Sequence, residues 1–151
     1  MNKSVKMEIH RVYLKDASFE SSGDAHELTT HWKPHLDIGI NTTHDQIEDE
    51  HLYEVVLRIT ITAKQEDEVA FLVEVQQAGV FRLTELEEVQ VPIVTQTHCA
   101  NVLFPFAREA IADLVVKGGF PQLLLGPMDF KSLYEQKAEA LQEQQTATMT
   151  H

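Results

Sequence analysis

The chain has 151 residues, 43% of them hydrophobic and 24% charged, and its 12 Lys and Arg against 24 Asp and Glu leave a formal net charge of -12. That is a globular composition of one-domain length, and its acidity excludes ready binding of duplex phosphates or anionic lipid while favouring basic partners. The only cysteine, Cys99, excludes an intrachain disulfide and suits a reducing compartment; no apolar leader opens MNKSVKMEIHRV and no apolar run reaches roughly 20 residues, so a cytosolic protein without membrane insertion is expected.

MEIHRVYLKDASFES, residues 7–21, predicts a first strand interrupted at Asp16. SSGDAHELTTHWKP follows, a linker of about fourteen residues, longer than a tight hairpin turn needs, and it predicts a crossover over the sheet. LDIGINT, residues 36–42, places Leu36, Ile38 and Ile40 on one face of a second strand. The clearest signal is HLYEVVLRITITAK, residues 51–64, where Tyr53, Val55, Leu57, Ile59 and Ile61 share one parity while Glu54, Arg58, Thr60 and Thr62 share the other. QEDE at 65–68 is a polar turn, and Val69, Phe71, Val73 and Val75 then alternate with Ala70, Leu72, Glu74 and Gln76, which predicts an antiparallel hairpin. Gly79, within this last run, marks a bulge or a close backbone approach.

The period then changes. From residue 103, Leu103, Phe106 or Ala107, Ala110, Ile111, Leu114 and Val115 form one helical face, with Asp113 four residues before Lys117 on the other side. Gly118 and Gly119 can supply the left-handed cap, and Pro105 belongs in the first turn or at a kink. FPQLLLGPM reads as an extended apolar connector, after which Pro127 and Asp129 open a final helix, DFKSLYEQKAEALQEQQ, that frays into TATMTH. The expected fold is α+β: a four-stranded antiparallel sheet, then two C-terminal helices, with residues 1–138 as the domain and 139–151 as a polar, flexible tail. Two helices cannot cover every apolar surface here, so another copy or a partner is expected to cover the rest.

Chemistry is sparse. His98 and Cys99 are adjacent and point in different directions, which favours a buried or helix-leading thiol over a nucleophile. No nucleophile elbow, phosphate loop or dinucleotide fingerprint is present, so an enzyme is disfavoured. In HDQIEDEH, His44 and His51 surround carboxylates at 45 and 48–50, but the spacing matches no established metal site and reads as a solvated turn; His26, His31 and His35 in the linker read the same way. Asp16, Glu20 and Glu74 would form an acidic patch around Leu72 if their strands were neighbours. Periodicity alone favours simple solubility of an outer face, although such a patch suits docking of a basic partner. Trp32, the only tryptophan, either anchors the crossover or lines a cleft for extended polypeptide.

RVYLKDASFE, HWKP, YEVVLRITITA, AFLVEVQQAGVF, NVLFPFARE and GGFPQLLLGPMDF, in this order over residues 7–134, resemble the SecB protein-export chaperones. The resemblance implies a homotetramer built as a dimer of dimers, with the helices between outer sheets, and long grooves for unfolded precursor proteins. It implies no catalysis, nucleotide or cofactor. Asp16, Glu20, Leu72 and Glu74 match positions that dock the motor SecA, overriding the solubility reading, and Val73, Val75 and Gln77 match positions tied to tetramer stability. Trp32 matches the crossover tryptophan near the groove; Phe120, Leu123 and Leu125 are assigned to the groove from their place in the apolar connector. Three departures stand out. Ala100 replaces a frequent proline, which relaxes the approach to the helix; Val73 replaces a cysteine of some members and should pack better; and the tail holds few acids beyond Glu143, which leaves an auxiliary tail contact with SecA without support. The competing expectations are a SecB-like chaperone controlling a toxin–antitoxin pair and, from another class, a small-ligand or metal-dependent enzyme using the histidine and carboxylate clusters.

Overall fold

The computed structural model describes residues 6–21 and 23–149, with backbone alone for 147–149. Four strands, β1 (Lys6–Ser21), β2 (His35–Gln46), β3 (Leu52–Gln65) and β4 (Glu68–Thr84), form one antiparallel sheet in the order β1-β4-β3-β2. Because β1 and β2 occupy opposite edges, the segment between them crosses the sheet, carrying the short helix α1 (Ala25–Leu28) on the way. The expected crossover is therefore present, and the reason lies in pairing: β4 has two neighbours, and the long β3–β4 hairpin forms the sheet's centre.

That hairpin turns at Glu66 and Asp67, both with positive φ (51° and 65°), between the paired Gln65 and Glu68. Positive φ at both central residues is the two-residue turn whose twist matches that of the strands. On β3 the expected parity holds, with Val55, Leu57, Ile59 and Ile61 fully buried. The interruption expected at Asp16 is a bulge one residue earlier: Leu14 pairs with Gln77 and Asp16 with Gln76, leaving Lys15 unmatched. A second bulge leaves His10 unmatched. Gly79 marks a close approach rather than a bulge, since a Cβ there would lie 2.7 Å from Phe81 Cε2 and 3.0 Å from Leu103 Cδ2. The helix layer comes down onto the sheet at this point.

Helical backbone begins at 88, earlier than the periodicity from 103 predicts. A single 3-10 turn (Glu88–Gln90) leads into α2 (Val91–Val94), a π-helical turn (Thr95–Cys99) and α3 (Ala100–Lys117) without interruption. Pro92 sits in the first turn, where a missing N–H costs little, and Pro105 lies inside α3. Ala100 donates its N–H to Thr95 O and so closes the π turn, a bond that proline at this position could not make. The end of α3 is a complete Schellman motif. Phe120 N–H donates to Val115 O at 3.2 Å and Gly119 N–H to Val116 O at 3.0 Å, with Gly119 at φ 90° supplying the left-handed residue.

Ala100, Leu103, Phe104, Ala107, Ile111 and Val115 of α3 are buried in one core with β3 and β4. The last helix, α4 (Phe130–Met149), is capped by Asp129, whose Oδ1 accepts the Ser132 N–H at 3.1 Å and whose Oδ2 accepts the Ser132 hydroxyl at 2.8 Å. It docks through Phe130, edge-on to Phe104, and then continues past the point where fraying was expected, with side chains 139–146 all exposed. No helix among the described residues is long and apolar enough to cross a membrane.

Candidate functional site

Alternation along β4 separates two surfaces. Phe71, Val73 and Val75 point into the core, whereas Leu72 and Glu74 point outward. The register brings the outward set together with β1: Glu20 pairs with Leu72, Ser18 with Glu74 and Asp16 with Gln76. The patch that the sequence offered only if these strands were neighbours is thus assembled, with Leu72 39% exposed at its centre. The bulge matters here. Lys15, next to Asp16 in sequence, is carried away to Glu54, donating to Oε1 at 2.7 Å while Tyr13 donates its hydroxyl to Oε2, so Lys15 does not neutralise the patch. These donors, Lys15 first, hold the Glu54 carboxyl below the usual range.

Among the described residues a cation does enter the patch, and sequence reasoning missed it. Arg58 of β3 donates from Nε to Glu74 Oε1 at 2.7 Å, and Thr60 donates its hydroxyl to the same oxygen at 3.0 Å. The guanidinium, then the hydroxyl, lowers the Glu74 pKa. Both residues sat on the recognised polar parity of β3, but their partner depends on cross-strand register, which periodicity does not contain.

The inner surface carries the other candidates. Trp32 reaches from the crossover onto Phe120, ring centroids 5.4 Å apart, and Phe71, 6.3 Å apart; Phe71 and Phe120 are 5.0 Å apart, and Phe19 joins them at 5.5 Å from Phe71. A Cβ at Gly118 would clash with the edge of the Phe19 ring at Cε1 and Cζ, so a larger residue there would have to displace that ring from the corner. Within the group assigned to the groove, Phe120 (3%) and Leu125 (5%) are buried in this chain, and Trp32 and Leu123 remain partly open. The neighbouring Leu124 is 69% exposed. Trp32 anchors the crossover and stays partly accessible. Its anchor is the amide of Gln65, expected only as part of a polar turn. Gln65 Oε1 accepts the Lys33 N–H at 2.9 Å and Nε2 donates to His31 O at 2.6 Å, clamping the backbone on either side of the indole.

Val73, Val75 and Gln77 are buried under the chain's own helix layer. Among the described residues no group of three or more His, Cys, Asp or Glu is placed to hold a metal ion. His44 instead meets the Thr95 hydroxyl at 3.2 Å and the edge of Tyr53. Cys99 is fully buried with its Sγ 3.9 Å from Met7 Sδ, and burial pushes the thiol up to about 12 from its ordinary 9.0. The buried-thiol reading holds. Native protein at pH 8 is expected to resist alkylation at Cys99 and to react fully once denatured; rapid labelling of the folded protein would contradict it. The folded state retains this proton when the unfolded chain loses it, so the contribution is constant below about pH 9 and stability falls as pH rises above that value.

Comparison with solved structures gives the class of fold. A Mycobacterium tuberculosis SecB-like chaperone, solved in complex with a peptide from an antitoxin, superposes with a TM-score of 0.68, covering 82% of this chain and 91% of that one at 16% identity. At that identity the likeness concerns fold alone. A family model described as preprotein translocase subunit SecB matches residues 1–141. Protein-export protein SecB of Halorhodospira halophila is 48% identical over 134 residues, 89% of this chain and 77% of that protein. Those of Psychrobacter arcticus (43%, 89% of each chain) and Nitrosococcus oceani (43%, 95% of this chain and 88% of that one) are similarly related. The chain belongs to the SecB family and is a protein-export chaperone; these relatives do not favour the toxin–antitoxin alternative.

Proposed function

We propose that this chaperone holds precursor proteins unfolded without nucleotide or catalysis and delivers them to SecA, acting in the cytosol as a dimer of dimers. The observation that carries the reading is the alternation at Phe71 and Leu72, which puts an aromatic corner and an acidic patch on opposite faces of one sheet. Asp16, Glu20, Leu72 and Glu74 dock SecA: the charges speed encounter with a basic surface, and Leu72 adds apolar burial. Trp32, Phe120, Leu123 and Leu125 contribute to the client groove, whose apolar walls accept many sequences at modest affinity per site.

Assembly is supported by what one chain leaves uncovered. Ile9 and Leu14 on the edge strand β1, with Phe106 and Val116 on α3, are large apolar side chains about half exposed. Pairing of copies would bury such surface, cover the open edge of β1, and multiply weak client sites through avidity. Val73, Val75 and Gln77 serve assembly by setting how α3 lies on the sheet. The net charge of -12 keeps separate tetramers apart and favours clients with basic segments.

The test is refolding of a slow-folding, chemically denatured precursor with a stoichiometric excess of this protein and no nucleotide. Arrest is expected. Unchanged refolding across several precursors would remove the general holdase reading.

A further inference from the structure

We infer that Arg58 and Thr60 are positioning residues for the docking patch, pinning the Glu74 carboxylate by one oxygen so that the other is presented to the partner beside Leu72. The inference rests on the proposed role of Glu74 in SecA docking. Its basis is that both donors converge on Oε1, Arg58 Nε at 2.7 Å and Thr60 Oγ1 at 3.0 Å, and neither engages Oε2. Three register pairs produce the arrangement: Thr60 lies opposite Glu74, Arg58 opposite Gln76, and Gln76 opposite Asp16 on the far side. The Arg58 guanidinium therefore also lies within the field of Asp16, which further favours its charged form after the hydrogen bond and charge of Glu74.

An arginine beside docking carboxylates is at first sight a defect, because it cancels charge that would attract a basic partner. Geometry supplies the compensation. A free glutamate loses side-chain freedom when a partner orders it, whereas one already held by two donors loses less. Thr60 makes this separable from charge, since its hydroxyl is neutral and its removal changes no electrostatic steering. Arg58 fits the role better than lysine would, because the Nε–H leaves the planar guanidinium at a fixed angle that an ammonium does not reproduce.

The experiment measures association and dissociation of purified SecA with the assembled chaperone at low and moderate salt, for Thr60→Val, Thr60→Ser, Arg58→Lys and Glu74→Arg. Thr60→Val and Arg58→Lys, which preserve net charge, should dissociate about three- to tenfold faster with unchanged association rate and salt dependence. Thr60→Ser, which keeps the hydroxyl, should restore the wild-type rate. Dissociation at the wild-type rate in Thr60→Val and Arg58→Lys, with Glu74→Arg still defective, would overturn the inference and leave the docking patch standing. A change confined to association would overturn it too. Wild-type binding by Glu74→Arg would remove the docking role itself and the inference with it. Far-UV melting of each variant separates these results from a folding defect, and an unfolded Arg58→Lys would leave the Thr60 pair to decide.

Discussion

Glu74→Arg is expected to weaken SecA binding by about tenfold or more while leaving capture of unfolded precursors unchanged. The substitution replaces the carboxylate that faces outward beside Leu72 with a cation, directly alongside Arg58. A basic partner then meets like charge where it formerly met an acceptor, and the two arginines repel within the patch. Client capture should survive because the side chain lies on the outer face, whereas Trp32 and Phe120 lie on the inner one, across a sheet whose β4 core positions are fully buried. The association rate should show most of the loss at low salt, where steering is least screened. Paired assays of SecA binding and precursor refolding decide the matter. Equal loss of both activities would mean that the two surfaces are not independent, and would count against the assignment of docking and capture to opposite faces.

Phe71→Ala is expected to cost about 3–5 kcal/mol of folding stability, the usual range for emptying a buried phenylalanine site. Phe71 is 1% exposed, and its ring meets those of Phe19, Trp32 and Phe120. The loss is a large fraction of the roughly 5–15 kcal/mol that stabilises a typical domain, and corresponds to a midpoint lowered by roughly 6–20 °C at this chain length. Unlike Glu74→Arg, this change should also alter client capture, because Trp32 and Phe120 both lose the sheet ring against which they pack. Thermal unfolding must be compared at equal protein concentration, since assembly adds stability by mass action. The emission of Trp32 reports the local effect. A cost under 1 kcal/mol with unchanged emission would show that the corner closes over the gap without consequence, and that Phe71 is not its keystone.

Much of the fold was legible because its signals are local. The parity of Tyr53 to Ile61, the turn chemistry near Glu66, the Gly119 cap and the Asp129 cap each depend on a few consecutive residues and a fixed backbone period. Errors arose where the helical signal was composite. The stretch from Val91 to Cys99 mixes a proline-bearing turn with a π turn, and no single period of 3.6 describes it. The final helix also outran its expected end at 145 by one turn, residues 146–149, whose sequence TATM includes the good helix formers Ala and Met.

The candidate site divides along the same line. By itself the sequence determined the carriers: an acidic chain, one tryptophan in a crossover, an apolar connector, carboxylates and Leu72 on outward parity, and motifs long enough to resemble one chaperone family. Tertiary structure alone decided which carriers meet. The place of β4 between β1 and β3 joins Glu20 to Leu72 and Glu74 to Thr60, the Lys15 bulge removes a competing cation, and the Gln65 amide holds the backbone on both sides of Trp32. The physical reason is that a strand's period specifies which face a residue occupies, while strand order and register specify its neighbours, and these follow from pairing between segments far apart in the chain.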